Sequence, residues 1–185
     1  AGLAGHGPSG RNGGFVSTIW DDLPTLRERF GDARAVEACR ASERGVRGIG
    51  EWCAATGVDA WYVSAPTMMA ATSEAQLGDW DELVEACRAV GAPAEVEVLS
   101  AAEARRRCDS PLLVGGALLR TAANVHPARL SLGLRAQVLA AGVRLYERSP
   151  VRRLSPDAVA GTSAGSVRAG AAVLAVNSAT ASSPG

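Results

Sequence analysis

The stretch Ser9-Gly10-Arg11-Asn12-Gly13-Gly14 places a hydroxyl, a guanidinium group, an amide and three glycines within six residues. Glycine is used where the backbone takes a positive φ or comes close to a ligand, and arginine and asparagine donate hydrogen bonds to phosphate oxygens or heterocycle edges. These residue types therefore predict a loop that holds a flat, phosphorylated cofactor. A surface turn with a solvated arginine is the alternative, and turn composition alone does not decide between the two.

A second motif overlaps this loop, because residues 5–10, Gly-His-Gly-Pro-Ser-Gly, match the pattern G-x-G-x-x-G. A dinucleotide-binding turn needs a strand before it and a helix after it, so that free backbone N–H groups meet the pyrophosphate. Only four residues precede the match, Pro8 removes one donor, and Arg-Asn-Gly-Gly follows in place of helix-forming residues. We therefore reject residues 5–10 as the nucleotide turn.

The composition argues against several classes of function. The 185 residues are 47% hydrophobic, enough for a sizeable core in one domain or two small ones. Nineteen basic residues balance nineteen acidic ones, so we expect neither nucleic acid nor a membrane as a partner. Every basic residue is arginine, which excludes Schiff-base and P-loop lysines. No membrane-length apolar run or signal peptide is visible, and the expected location is cytoplasmic.

The cysteines and histidines do not form a metal-binding pattern. Cys39, Cys53, Cys87 and Cys108 include no C-x-x-C pair, and only two histidines are present. We expect four reduced thiols, of which those on helices act as small hydrophobic side chains. No metal site is predicted.

Hydrophobic periodicity predicts the helices. The longest predicted helix extends from Asp32 to Thr56; Asp32 is its predicted N-cap and Gly57 is the residue that stops it. Its glycines Gly45, Gly48 and Gly50 each weaken it by up to about 1 kcal/mol relative to alanine, so we expect a compensating close contact.

Three more helices are expected further along the chain. Residues 73–90 place Leu77, Trp80, Val84 and Cys87 on one face of an amphipathic helix, with its acidic residues solvated. A capping box, Ser100-Ala101-Ala102-Glu103, opens a short helix through Cys108. The last helix begins at His126-Pro127, ends at Gly142, and carries a buried stripe of Leu130, Leu134 and Val138 with Leu139 beside it.

Alternating or β-branched segments predict short strands between and after these helices. The first, at residues 15–19, is either a strand or a turn. The others are at residues 60–72, as two strands around Pro66, and at 95–99, 116–122, 143–147, 150–154, 165–169 and, as a buried strand, 171–176.

The order of these parts resembles a known family. The matching pieces are the opening Gly-Pro-Ser-Gly-Arg-Asn-Gly-Gly-Phe (7–15), Val-His-Pro-Ala-Arg-Leu (125–130), Gly-Val-Arg-Leu-Tyr-Glu (142–147), Ser-Pro-Val (149–151) and Ala-Val-Leu-Ala-Val-Asn (172–177). Together they are similar to the FAD-dependent amino-acid and amine oxidases of the D-amino-acid oxidase superfamily, nearest to the glycine oxidase-like and gamma-glutamylputrescine oxidase-like members. The resemblance covers essentially the whole chain.

The resemblance implies an α/β fold with α+β character in the substrate part. A partial FAD-binding Rossmann-like domain would be joined to a portion of a mixed-sheet substrate domain. Residues 1–57 would belong to the FAD-binding domain, residues 58–123 to the substrate domain, and residues 124–185 would return to the FAD-binding domain.

The resemblance also implies FAD as cofactor and a set of residues that approach it. The opening loop would lie against the flavin and its pyrophosphate, the valine of the 149–151 turn would meet the adenine end through its backbone, and the end of the last strand would pass close by. The implied cofactor-binding residues are Ser9, Gly10, Arg11, Asn12, Gly13, Gly14, Val151, Ala175, Val176 and Asn177. Catalytic residues are not identified.

The reaction implied is hydride transfer from a C–H bond beside an amine nitrogen to the flavin, giving an imine that water hydrolyses. The substrate would be a small amine or amino acid, and its identity and the oligomeric state are not determined. The sequence does not decide between an oxidase and a dehydrogenase. The flavin does the difficult chemistry, so no catalytic triad or carboxylate pair is required.

The sequence also departs from the family pattern. The family's dinucleotide turn would lie before residue 1, and an aromatic residue often found after the position of Asn177 is missing. We therefore expect an internal piece of such an enzyme, which on its own binds FAD weakly or not at all. Two alternatives stay open: a non-catalytic remnant or interaction module of the same fold and, as the lesser one, an NAD(P)-binding Rossmann protein that uses residues 5–10.

Overall fold

The computed structural model describes residues 2–176, which form helices and short strands in alternation. The helices are α1 (Leu23–Phe30), α2 (Asp32–Thr56), α3 (Asp81–Ala89), α4 (Ala101–Arg107) and α5 (Pro127–Ala140). The strands are β1 (Phe15–Ser17), β2 (Val63–Ser64), β3 (Thr67–Ala71), β4 (Val96–Ser100), β5 (Gly115–Leu119), β6 (Ala122–Asn124), β7 (Arg153–Leu154), β8 (Val159–Gly161) and β9 (Ser166–Arg168).

The strands form three sheets of three strands each, in the orders β1-β6-β2, β3-β5-β4 and β7-β8-β9. Every strand pair within residues 2–176 is antiparallel. The mixture of helices and sheets agrees with the predicted fold class. The short connection between β5 and β6 carries the chain from the second sheet into the first.

The core lies on both faces of the β3-β5-β4 sheet. All five residues of β5 are buried, and because alternate side chains of a strand point to opposite faces, Ala117 and Leu119 face one core and Leu118 faces the other. The larger core packs α1, α2 and α3 against the sheet, with Trp20 and Cys39 almost fully buried. The smaller core lies under α4, so both sheet faces are covered.

Helix α2 is held against the larger core by a buried carboxylate. Glu43, 4% exposed, accepts a hydrogen bond from the Trp20 indole at 2.6 Å and pairs with Arg40 at 2.7 Å. Arg40 also binds Glu95 at 2.6 Å and lies over the Trp20 ring. A buried charge needs such partners, and here they connect α2 to the segment that leads into β4.

The prediction for α2 is confirmed in extent and in its C-terminal stop, where Gly57 has a φ of 70°. The predicted N-cap is wrong, because Gly31 is the cap and Asp32 instead binds Arg27 at 2.8 Å. The expected close contact exists at Gly50, where a Cβ would lie 2.5 Å from the Tyr62 ring, whereas Gly45 has open space around it.

The predicted helix over residues 73–90 is correct only for its second half. A short 3₁₀ turn covers Glu74–Gln76, and α3 begins at Asp81. Gly78, at a φ of 96°, takes the chain out of helical geometry between them, and Leu77 is 42% exposed. The capping box at Ser100 and Glu103 is confirmed, with both reciprocal hydrogen bonds formed.

Three predictions about the last third of the chain are wrong. Helix α5 is present as predicted, but none of its residues is buried, and Leu134 and Leu139 are exposed. Residues 143–147 and residues 171–176 form no strand, and residues 171–176 are exposed. A strand needs a neighbour for its backbone hydrogen bonds, and these segments have none within the described part of the chain. The sequence did not predict β8, which pairs with both β7 and β9.

Candidate functional site

The predicted cofactor loop, residues 9–14, lies against the beginning of α5. Ser131 of α5 donates its hydroxyl to the Ser9 carbonyl oxygen at 3.2 Å, and the Val125 N–H donates to the Gly14 carbonyl oxygen at 2.9 Å. Gly14 has a φ of 76°, and a Cβ there would collide with the Val125 carbonyl oxygen. Only glycine satisfies both requirements, so Gly14 fixes the point where the loop joins β1.

The Asn12 side chain holds the loop in shape. Its amide nitrogen donates to the carbonyl oxygens of Pro8 at 3.0 Å and Ser9 at 3.2 Å, and its amide oxygen accepts from the Gly14 N–H at 2.8 Å. These three bonds use both ends of the amide inside the loop. Asn12 therefore acts through the shape of the loop, through the kind of local side chain to backbone bond that asparagine makes in turns.

Several hydrogen-bond donors of the loop have no acceptor among residues 2–176. The exposed Arg11 guanidinium forms no hydrogen bond or ion pair with any described residue, and the exposed Ser9 hydroxyl has no protein partner among residues 2–176. The backbone N–H groups of Asn12 and Gly13 also donate to no acceptor in that range. A permanent cation beside free N–H and O–H donors is a donor set that suits phosphate oxygens or the polar edge of a heterocycle.

The overlapping G-x-G-x-x-G pattern does not form a nucleotide turn. Residues Pro8–Gly10 make a single 3₁₀ turn, and no α-helix follows Gly10 before α1. The N–H groups of Gly10 and Arg11 are bonded to the carbonyl oxygens of Gly7 and Pro8, so they are not available to a pyrophosphate. The structure thus confirms the rejection of residues 5–10.

The residues before the loop are anchored by Glu147. The Ala4 N–H donates to one of its carboxylate oxygens at 2.8 Å, and Arg135 of α5 binds both oxygens, at 3.0 and 2.7 Å. These bonds lower the pKa of Glu147 to about 2, with the Arg135 hydrogen bond as the largest cause and the Ala4 bond next. The Arg148 N–H also donates to the Gly2 carbonyl oxygen, so the chain three residues before Val151 lies beside the N-terminal residues that precede the loop.

The other predicted cofactor residues are less closely tied to the loop. Val151 is 57% exposed and lies two residues before the start of β7. Ala175 and Val176 are exposed, and no hydrogen bond in the described range joins them to the loop. Asn177 lies outside the described residues. The structure therefore brings residues 9–14 together as one unit, and it places Arg148, three residues before Val151, beside Gly2, seven residues before the loop.

An exposed aromatic surface next to the loop was not predicted from the sequence. Phe15 and Val63 lie opposite Asn124 on the two sides of β6, and they are 76% and 57% exposed. The Trp61 and His126 rings meet edge-on with their centroids 5.1 Å apart, and Trp61 is 58% exposed. We call these five residues the open face. The signal in the sequence was a large apolar residue, Phe15, directly after the glycine loop.

The buried cysteines belong to the core. Burial raises the pKa of the Cys39 and Cys87 thiols to about 11. They are therefore protonated near neutral pH and poor nucleophiles. Within residues 2–176 no three His, Cys, Asp or Glu side chains are grouped to hold a metal ion, and no helix is long and apolar enough to cross a membrane.

Comparison with known proteins identifies the family. The model of the FAD dependent oxidoreductase family (DAO) matches residues 1–184. Among solved structures, glycine oxidase from Geobacillus kaustophilus aligns with a TM-score of 0.67 and 23% identity, over 92% of this chain and 45% of that chain. An L-amino acid deaminase from Proteus vulgaris, lacking its specific insertion sequence, gives a TM-score of 0.65 and 16% identity over 90% and 43%.

A third solved structure carries a different name. FAD-bound L-alpha-glycerophosphate oxidase from Mycoplasma pneumoniae gives a TM-score of 0.58 and 16% identity over 85% of this chain and 39% of that chain. The chain thus spans less than half the length of each of these structures, and a search of curated proteins finds no match. Because the family model covers nearly every residue, the chain belongs to the family of FAD-dependent oxidoreductases.

Proposed function

We propose that this chain contributes the flavin-side loop and part of the substrate region of an oxidoreductase that oxidises a C–N bond of a small amine or amino acid. The observation that carries the proposal is the hydrogen bonding of the loop. Asn12 closes the loop on itself, while Arg11 and the N–H groups of residues 12 and 13 have no hydrogen-bond partner among residues 2–176. In a family that uses FAD, these donors fit the phosphate and polar groups of that cofactor.

The roles of the chain's residues follow from their positions. Arg11 supplies positive charge to a phosphate, the Ser9 hydroxyl supplies an adaptable donor, and Asn12 and Gly14 keep the loop in the conformation that exposes them. The chemistry that FAD supplies when bound is the acceptance of a hydride from the C–H bond beside the amine nitrogen. The assignment of Val151, of residues 175–177 and of the three segments 1–57, 58–123 and 124–185 is part of the same proposal.

The choice of a C–N bond rests on the resemblance of the loop region to amino-acid and amine oxidases. The names of two aligned structures point the same way, since they are a glycine oxidase and an L-amino acid deaminase. The third is named for glycerophosphate, which carries no amine at its oxidised carbon. The substrate test therefore includes small amines, amino acids and glycerophosphate side by side.

The test of the loop uses the full reading frame that encodes this chain. We expect its purified product to show a flavin absorbance spectrum and to form peroxide, or to reduce an added electron acceptor, with a small amine or amino acid. Arg11→Ala should weaken FAD binding about ten- to a hundredfold, because a hydrogen bond to a charged group contributes about 1.5–3 kcal/mol. The matched control is Arg34→Ala, an exposed arginine of α2.

Other outcomes would favour the alternatives. An unchanged FAD affinity in the Arg11 variant would contradict the role of the loop. A product that binds no flavin would favour a non-catalytic remnant or interaction module, and binding of NAD(H) without a response to FAD would favour the nicotinamide alternative. Turnover of glycerophosphate alone would retain the flavin chemistry and overturn the C–N assignment.

A further inference from the structure

The charges of this chain balance in total but are unevenly distributed along it. Residues 1–123 contain twelve arginines and seventeen acidic side chains, whereas residues 124–185 contain seven arginines and two acidic side chains. The two parts therefore carry formal charges of −5 and +5 at neutral pH. The zero net charge hides this separation, and charge asymmetry between parts of a chain indicates surfaces that attract an oppositely charged partner.

Part of the negative charge lines a groove between α1 and α3. The groove has a volume of about 530 Å³, and its charged lining consists of Glu28, Asp32, Glu82, Glu85 and Arg27. Two of these carboxylates are paired with arginines, at 2.8 and 2.6 Å. The carboxylates of Glu28 and Glu82 form no ion pair or hydrogen bond with any of residues 2–176. We call this cavity the acidic groove.

The positive charge is concentrated around the β7-β8-β9 sheet. Five arginines of residues 144–168 are exposed and form no ion pair or side-chain hydrogen bond within residues 2–176: Arg144, Arg148, Arg152, Arg153 and Arg168. Of the two acidic side chains in the same stretch, Glu147 is already bound to Arg135 at 2.7 Å. This stretch therefore keeps an uncompensated positive charge.

The register of this sheet places two of the arginines on one face. Arg153 lies opposite Gly161, which lies opposite Ser166, and Arg168 lies opposite Val159. Residues 159 and 161 are two apart on β8, and alternate residues of a strand project from the same face. These five residues include no carboxylate, and both arginines are exposed. We call them the basic face.

The two surfaces do not neutralise one another within a single chain. Among residues 2–176, no ion pair joins an acidic side chain of α1 or α3 to an arginine of residues 144–168. A polyanion such as a nucleic acid or an anionic membrane fits the basic face alone, because the acidic groove repels it. A second copy of the chain offers the opposite charge to both surfaces, and zero net charge removes the overall repulsion between copies.

We propose that copies of this chain associate head to tail, with the basic face of one copy bound at the acidic groove of the next. Arg153 and Arg168 of one copy form ion pairs with Glu28 and Glu82 of the other, since these carboxylates have no partner in the described part of their own chain. The two surfaces differ, so the contact is heterologous and leaves one surface free at each end. No residue of the cofactor loop takes part, and the inference is independent of the proposed function.

The test is sedimentation velocity of the 185-residue chain over a range of protein concentrations, at about 20 mM and about 300 mM NaCl. We expect association at the lower salt concentration and a dissociation constant about tenfold higher at the higher one, because salt screens exposed charges. Reversal of the groove, Glu28→Arg with Glu82→Arg, should abolish association. Reversal of the face, Arg153→Glu with Arg168→Glu, should do the same.

Two further variants separate a specific contact from a general effect of net charge. The control Glu37→Arg with Glu51→Arg, at exposed positions of α2, makes the same change in net charge as the groove reversal and should leave association unchanged. A chain that carries the groove and face reversals together regains zero net charge, with a basic groove and an acidic face. Because the two surfaces are again complementary, this chain should associate.

Each outcome decides the proposal. A monomeric unmodified chain at low salt overturns it, as does association that persists after either reversal, or an equal loss in the α2 control. Failure of the folded chain with both reversals to associate also overturns it. Circular dichroism checks folding, and where a reversal unfolds the chain, Arg153→Gln and Arg168→Gln decide, each with an expected severalfold rise in the dissociation constant. Binding to vesicles of phosphatidylcholine and phosphatidylglycerol without self-association would assign the basic face to an anionic membrane instead.

Discussion

At the scale of single residues, Glu147 joins three parts of the chain through one carboxylate. It binds Arg135 of α5 in two places and accepts the N–H of Ala4, just before the loop. The bonds to the ionised form lower its pKa to about 2. The residue that holds Ala4, five residues before the loop, therefore lies more than a hundred positions away in sequence, and sequence spacing alone gives no sign of it.

This arrangement predicts a pH dependence with a definite sign. Because the pKa of Glu147 is lowered on folding, its contribution is fully present above the ordinary glutamate pKa and is lost as the pH falls through about 2. Compared with the intrinsic exchange rate at the same pH, the Ala4 amide should be protected at pH 4, and this protection should be much smaller in Glu147→Gln, which loses the charge that binds Arg135. Glu51→Gln, at an exposed position of α2, is the control. Equal protection in both variants would show that the carboxylate does not hold the N-terminal residues.

At the scale of elements, the glycines of α2 show that the extent of a helix can be predicted from sequence while the effect of each residue on its stability cannot. Gly50 is required by the Tyr62 ring, whose hydroxyl donates to the Val46 carbonyl oxygen at 3.0 Å, and this contact secures the segment before β2 to the helix. Gly45 is exposed with nothing close to its missing side chain. The same residue type on the same helix therefore has two different effects.

The pair gives a matched prediction. Gly45→Ala should stabilise the chain by about 0.5–1 kcal/mol, since alanine restricts the unfolded backbone and favours helix. Gly50→Ala should destabilise it by about 1–3 kcal/mol, because the new methyl group overlaps the Tyr62 ring. Urea unfolding followed by circular dichroism measures both free energies. If the two variants shift the midpoint in the same direction, the Tyr62 contact does not constrain Gly50.

At the scale of the whole molecule, the described residues contain the donor loop and the open face. They do not contain a strand, a glycine turn and an α-helix in succession that would present a helix N-terminus to a pyrophosphate. That unit supplies several N–H donors and a favourable dipole at once. Helix α5 meanwhile leaves Leu132, Leu134 and Leu139 exposed. Within the described residues, the candidate site thus has the loop donors but no helix N-terminus to add to them.

We therefore expect this 185-residue chain to bind FAD too weakly to retain it through gel filtration. The measurement is the flavin absorbance that co-elutes with the protein after incubation with excess FAD. Weak binding detected by titration is compatible with this result, since gel filtration removes a ligand that dissociates quickly. A yellow protein peak with one FAD per chain would contradict the expectation and would mean that the residues of this chain suffice to hold the cofactor.

Much of the secondary structure followed from local physics that operates within a few residues. The extent of α2, its glycine stop, the capping box at Ser100 and the start of α5 depend on periodicity and terminal side chains, and each is confirmed. The strands predicted at 143–147 and 171–176 failed because a strand exists only where a partner offers hydrogen bonds, and partner choice is not a local property.

By itself, the sequence determined the residue types of the donor loop, its distinction from the overlapping glycine motif, and the family. Only the tertiary structure decided which hydrogen bonds those residues form and which of them stay exposed. It bonded the Asn12 side chain to the loop's own backbone, left Arg11 without a partner among the described residues, bound Ala4 to Glu147, and set Phe15, Val63 and Trp61 around β6 on one open face. The physical reason is that hydrogen-bond partners and exposure depend on which distant segments meet, and strand register and helix packing fix those meetings.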